Sequence, residues 1–352
     1  MKTRVQNLSL AVVLVLLTLA FGALAPGFLR PSALASMANQ VAPLIVASAG
    51  LTLVLIVGGI DLSVGSVLAL ASVLTGLAMV QLELPFGVSC LFGLLAGSLC
   101  GVINGAVTAR ARVPSFIVTL GMLEIARGLA YLVTSSQTQY LGGRVGTLAR
   151  PLPGLGLSPS LLLAVAVVLG CQTLLSRTVF GRQLVALGTN EEALELVGVD
   201  TRRLKVWTFT LCGALAGLAG ALHTAYLETA DPNAAVGLEL SAIAAVVIGG
   251  TSLMGGRGSV VGSFLGVLII AVLQSGLAQL GANEPVKRVT TGAVIVAAVV
   301  LDQMRQRRAS RRDAERSSSA ASASISSAEE PEEALQEPPG GEDSQDPGRK
   351  LE

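Results

Sequence analysis

Apolar residues run along this chain in blocks of about twenty, separated by short stretches that gather glycine, proline and charge. A bilayer core takes about 20 apolar residues per helix. Cutting the runs at turn residues and charges yields about ten spans, at 8–25, 41–58, 62–80, 86–108, 115–134, 160–176, 206–226, 239–255, 259–280 and 287–303. The second and third run together, and they divide at Gly58-Gly59-Ile60-Asp61 because the whole stretch is about twice the length one helix needs. The pattern predicts an all-α fold, a polytopic transmembrane helix bundle.

Positive charge orients it, since basic loops stay cytoplasmic. Lys2 and Arg4 precede the first span, Arg110 and Arg112 follow the fourth, and Arg177, Arg182, Arg202, Arg203 and Lys205 lie between the sixth and seventh. Arg257 follows the eighth, and Arg305, Arg307, Arg308, Arg311 and Arg312 follow the tenth. These alternate as a chain with both termini inside requires, although Arg30, Arg144, Arg150, Lys287 and Arg288 fall in or beside outer loops. The opening segment also fits the outline of a cleavable signal peptide, with Ala23-Leu24-Ala25 at its end, but its apolar run is long enough to span.

Composition agrees with the pattern: 52% of the 352 residues are hydrophobic and 13% charged, far from the soluble globular norm. Just over half of the acidic residues lie from Asp302 onward. From Ser317 onward serine, alanine, glutamate, proline and glycine dominate, a composition that cannot offset the entropy of ordering a chain. The chain therefore divides into a transmembrane domain over 1–305 and a tail over 306–352 expected to be disordered and cytoplasmic. No basic face with interleaved aromatics is present, which argues against nucleic acid as a partner. Cys90, Cys100, Cys171 and Cys212 each sit inside an apolar run and read as packing residues, and a lone His223 offers neither a metal set nor a catalytic pair.

Several short stretches carry more than membrane chemistry. Gly93, Gly97, Gly101 and Gly105 recur every fourth residue and share one helix face, which lets another backbone approach closely; Gly213 with Gly217 and Gly262 with Gly266 repeat the device. Gly58-Gly59-Ile60-Asp61-Leu62-Ser63-Val64-Gly65-Ser66 sets an aspartate and paired glycines inside an apolar stretch. Asp61 reads either as part of a broken-helix transport site or as a helix cap bonding the N–H groups near Val64. After Asn104-Gly105 comes Val113-Pro114-Ser115-Phe116-Ile117-Val118-Thr119, where Ser115 and Thr119 lie one turn apart and either line a polar path or bond back to their own helix. Glu124 and Arg127 have the spacing of an intrahelical ion pair. The interior segment 181–199 predicts a short amphipathic helix, capped by Thr189 or Asn190 and ended by Gly198, that is either interfacial or a plug for a partner. Gly250 and Gly255 have P-loop spacing, but Gly256 and Arg257 stand where Lys and Ser/Thr are required. If ATP drives this protein, another subunit binds and hydrolyses it.

These blocks, in this order, resemble the permease subunits of ribose/galactose/xylose-type bacterial ABC sugar importers over roughly Ala38 to Leu301. The GGIDLSVGS stretch at 58–66, the VPSFIVTLG stretch at 113–121 and the VIGGTSLMGGRGSVVG stretch at 247–262 carry the likeness. The resemblance implies a transport subunit of ABC importer permease type, not an enzyme and without a cofactor of its own, in the bacterial cytoplasmic (inner) membrane. Its implied partners are a cytoplasmic ATP-binding subunit, an extracytoplasmic sugar-binding protein and a second permease copy or paralogue. The segment 181–199 would be the coupling loop, with Gly181, Asn190, Glu191, Ala193, Leu194, Val197 and Gly198 as ATPase-coupling candidates, and Ala193, Leu194 and Val197 presented to the partner. Candidates at the translocation pathway or the helix break are Asp61, Ser63, Asn104, Ser115, Phe116 and Thr119. Glu191, Glu192 and Glu195 make this loop more acidic than the family pattern, and the tail lies outside that pattern. A secondary transporter or channel for a small polar solute is the competing reading; it would need no ATPase.

Overall fold

The computed structural model describes residues 2–300 apart from 146, 147, 295, 298 and 299. All of these belong to one compact unit, Met1–Asp302. The tail 306–352 lies outside the described residues.

Without water to satisfy backbone groups, a membrane segment closes its hydrogen bonds within itself, and helix dominates accordingly. Among the described residues seven helices are long and apolar enough to cross a membrane, or eight if a bent pair is counted as one span. Helices α1 (Lys2–Leu24), α4 (Val64–Gln81), α5 (Phe86–Arg110), α6 (Ser115–Thr134), α7 (Pro159–Arg177), α10 (Thr201–Leu227) and α12 (Val260–Gln279) fall on seven of the ten expected spans. The run 41–58 becomes α3 (Ala42–Ile56), preceded by α2 (Pro31–Gln40) across a 47° bend. Pro31 and Pro43 each sit in the first turn of their helix, where a missing N–H leaves no bond unmade.

Two expected spans differ. The run 239–255 forms only α11 (Leu238–Ile248), 11 residues long and about 16 Å at helical rise. Hydropathy continues through Gly249-Gly250 and beyond, but the backbone turns there into the left-handed region, with φ of +86° at Gly250 and +84° at Gly255. An apolar composition is thus compatible with a half-span ended by glycine. The tenth run is helical at 284–294, 296–297 and 300, and its other positions lie outside the described residues.

Helix α3 is the axis of the bundle. Apart from Leu44 every residue of α3 is buried, as expected of a helix that is apolar all round. Against it pack α10, α7, α12 and α11, with α5 gripping α10 from the other side. That grip depends on the glycine row: a Cβ on Gly97 would overlap the Gly213 carbonyl, one on Gly217 would reach the Gly93 carbonyl at 2.5 Å, and one on Gly101 would overlap the Phe209 carbonyl. In the same way Gly262 and Gly266 of α12 let that helix close on Gly249 and Ala245 of α11. Phe21 of α1, with Phe28, packs on Val272 of α12 in a separate cluster. At the far end two residues of strand, β1 (Gln139–Tyr140), pair antiparallel with β2 (Thr229–Ala230) and tie the α6–α7 connection to the one before α11.

Candidate functional site

Between α3 and α4 the chain leaves helical geometry while still inside the protein. Gly58, at φ +78°, reverses the chain, and the Gly59 N–H returns to the Val54 carbonyl at 2.9 Å. Asp61 is only 2% exposed. Its Oδ1 accepts from the Ser63 N–H at 2.9 Å and from the Ser63 hydroxyl at 2.6 Å, while Asn104 Nδ2 of α5 donates to that hydroxyl at 3.0 Å. Asp61 therefore closes a side-chain turn onto Ser63, the residue before α4, and does not bond the N–H groups near Val64 that a helix cap would take.

The first turn of α6 holds the same break from another side. Ser115 Oγ accepts from the Ile60 N–H at 2.9 Å, and Thr119 Oγ1 accepts from the Leu62 N–H and donates to the Ile60 carbonyl, both at 3.1 Å. Their principal partners are neither a ligand path nor their own helix but the freed backbone of residues 60–62. Asp61, Ser63, Asn104, Ser115 and Thr119 thus converge on one junction. Phe116 does not join them: it is 49% exposed on the outer side of α6. Asn104 Oδ1 and Thr108 Oγ1, one turn apart on α5, are buried with no hydrogen-bond partner among the described residues.

Higher on α6, a role invisible in the residue spacing belongs to Arg127. No ion pair joins it to Glu124 among the described residues; instead its Nη1 donates to the Pro232 carbonyl at 2.6 Å and the Ala234 carbonyl at 2.8 Å. Tyr131, one turn on, donates to Asn233 Oδ1 at 2.8 Å. Together they clamp the irregular segment that feeds α11. The only sequence signal was Asp231-Pro232-Asn233, a stretch whose proline guarantees unpaired backbone groups.

The segment 181–199 folds as two helices, α8 (Val179–Thr189) and α9 (Glu191–Leu196). Asn190 caps α9 by accepting from the Ala193 N–H at 2.9 Å. Gly198, at φ +82°, ends it, with Val199 N–H returning to the Leu194 carbonyl at 3.3 Å. The face differs from the expected one at Leu194, which turns inward and is buried; Ala193 and Val197 are exposed as expected, and Leu196 joins them, with Leu196 at 88% and Val197 at 74%. The helix is too short for a full amphipathic stripe, so its inward contact and its outward face fall on adjacent positions. Two of the three glutamates are held within the protein: Glu191 pairs with Lys205 at 2.7 Å and Glu195 accepts from Thr201 at 2.6 Å. Gly181 sits where α8 turns back on α7, too close to the Leu174 and Leu175 carbonyls to admit a Cβ.

Helix α8 ends against the helix break. The Gly256 N–H donates to the Ile56 carbonyl at 2.8 Å, and a Cβ on Gly188 would overlap that same carbonyl. A Cβ on Gly255 would lie 2.8 Å from the Gly188 carbonyl and 3.0 Å from the Gly58 nitrogen. The end of α3, the end of α8 and the connection after α11 therefore meet backbone to backbone. Here the glycines that suggested a P-loop serve close packing. Beside the junction lies a cavity of about 780 Å³ walled by Gly58, Gly59, Ser115, Asn190, Glu191 and Arg202. Met254 is exposed on the same side.

Comparison with known proteins gives this arrangement a context. The chain is 36% identical over 298 residues to the ribose import permease protein RbsC of Escherichia coli (strain K12), covering 82% of this chain and 91% of that one. It is 38% identical over 291 residues to the ribose import permease protein RbsC of Bacillus subtilis (strain 168), covering 80% and 88%. With the fructose import permease protein FrcC of Rhizobium meliloti it shares 35% over 300 residues, 81% of each chain. No solved structure matches. The family model described as the branched-chain amino acid transport system permease component matches residues 33–299, and this chain, a multi-pass membrane protein, belongs to that family.

Proposed function

We propose that this chain is the membrane-spanning permease of an importer for a monosaccharide of the ribose/xylose/galactose class, driven by ATP that a separate subunit binds and hydrolyses. The observation that carries the reading is the seating of the α8–α9 element: its outer face offers Leu196 and Val197, and its inner end rests on the Ile56 carbonyl at the helix break. Energy delivered to the first reaches the second through rigid backbone contact. The ribose and fructose relatives support a sugar as cargo. The distribution of arginine supports a cytoplasmic position for α8, α9 and both termini, on which reading the partner on α9 is the ATP-binding subunit. A secreted sugar-binding protein and a second permease copy or paralogue complete the assembly.

Uptake of radiolabelled D-ribose and D-fructose tests this, in cells lacking their own permease and supplied with this chain and its ATPase. Uptake that an ATPase-dead partner abolishes supports the importer. Uptake that persists without the ATPase makes the chain a secondary transporter or channel.

A further inference from the structure

At the other end of α3 from the break, α12 carries a face with unusual chemistry for a membrane helix. Ala271, Gln274, Ser275 and Ala278 follow intervals of three and four, share one side, and open into a cavity of about 580 Å³. That volume lies in the roughly 300–1,000 Å³ range of small-molecule sites. Gln40 at the end of α2 and Ser241 on α11 reach the same space, and Leu44 and Leu238 add apolar wall. The side chains of Gln40, Ser241, Gln274 and Ser275 form no hydrogen bond with any described residue. Ser241, Gln274 and Ser275 are half-buried and Gln40 is exposed at the rim. Unpaired amides and hydroxyls are costly in an apolar surround, so a cavity that gathers them in a membrane domain suits water or a polar guest.

The guest's chemistry can be read from the lining. Each amide and each hydroxyl both donates and accepts, which matches the hydroxyls of a neutral polyol. Leu44 and Leu238 suit the C–H face of a sugar ring. The charged groups at the cavity, Glu284, Lys287 and Arg288, pair with one another, with Lys287 at 3.0 Å and Arg288 at 3.7 Å from the Glu284 carboxylate, which leaves one positive charge in excess. An amino acid needs a carboxylate for its ammonium group, and the one at this lining, Glu284, already faces both cations.

We propose that this cavity is a monosaccharide site within the membrane domain, at which Gln274 and Gln40 contact sugar hydroxyls as the cargo enters from outside. The proposal rests on the importer reading for its cargo and orientation, but its water-filled geometry can be tested independently. Single-cysteine variants S241C and Q274C are made in a full-length chain whose Cys90, Cys100, Cys171 and Cys212 are alanine, with L95C on the exposed side of α5 as a lipid-facing control. Spheroplasts are treated with a membrane-impermeant maleimide. The expected result is labelling of S241C and Q274C severalfold above L95C, slowed by D-ribose or D-fructose. Labelling no faster than L95C overturns the proposal, because a closed or acyl-filled groove excludes the reagent. Separately, Gln274→Leu removes hydrogen bonds to the guest and is expected to lower sugar uptake about tenfold. Membrane level and ATPase co-purification should stay unchanged, and Gln274→Asn should restore part of the uptake. Normal uptake by Gln274→Leu also overturns the proposal. If Q274C labels but the unmodified chain imports neither sugar and neither sugar slows labelling, the vestibule stands, while the importer reading and the sugar assignment both fall.

Discussion

Asp61 is the residue whose removal has the clearest local consequence. Its Oδ1 is the partner of both the Ser63 N–H and the Ser63 hydroxyl in a buried turn. Asp61→Leu leaves those donors unmade, at about 1–3 kcal/mol each for buried groups. Asp61→Asn keeps an oxygen in place. We expect the leucine variant to lower thermal stability in detergent and to lose most sugar uptake at matched membrane levels, with asparagine intermediate; a leucine variant that transports normally removes Asp61 from the mechanism. Arg127 makes a second prediction at this scale. Arg127→Met deletes two charge-assisted bonds to the Pro232 and Ala234 carbonyls. It is expected to raise proteolytic cleavage or hydrogen exchange in residues 231–237, whereas Glu124→Gln, which touches neither carbonyl, leaves that segment unchanged. Asp61 was legible in the sequence because a carboxylate in an apolar run is chemically out of place. Arg127 was misread because spacing rules consider only a residue's own helix, and its true partners lie over a hundred positions away.

Among the elements, α9 and the glycine face of α5 were readable for opposite reasons. Capping is local chemistry, and Asn190 and Gly198 behave as their positions require. A row of glycines four apart likewise announces close approach, though not to which helix; only packing reveals α10. Span counting failed at α11, since hydropathy measures apolar content and not whether the backbone stays helical past Gly249. The inward turn of Leu194 also escaped, because six residues are too few for periodicity to point. The exposed pair leads to a third prediction. Val197→Arg or Leu196→Asp places charge on the outward face without disturbing Leu194, and is expected to abolish co-purification with the ATPase while membrane insertion stays normal. Gly198→Val strains the helix end at φ +82° and should weaken assembly less severely. Full co-purification of both outward variants would make α9 an interfacial segment.

At the scale of the whole molecule the question is how a contact at α9 reaches the membrane interior. Three backbones meet at Gly188, Gly255 and the end of α3, so a displacement of α8 is transmitted to Ile56 without a flexible side chain in between. From Ile56 the chain enters the break, and the break is bonded to α5 through Asn104 and to α6 through Ser115 and Thr119. Helix α6 in turn holds the segment before α11 through Arg127. Every link is a hydrogen bond or a contact too close for a methyl group, and the proposed docking face at Leu196 and Val197 is not part of it. Docking and transmission are therefore separable by mutation. Gly188→Val forces α8 away from the Ile56 carbonyl but leaves α9's exterior intact. The expected phenotype is a complex that assembles and turns over ATP yet imports sugar at least about tenfold more slowly, since a strained rigid contact couples two states only while both ends fit. The check is ATPase activity and sugar uptake measured on the same reconstituted complex. A parallel fall in assembly means that α8 supports docking, and unchanged uptake means that the force takes another route; either result breaks the chain of contacts at its first link.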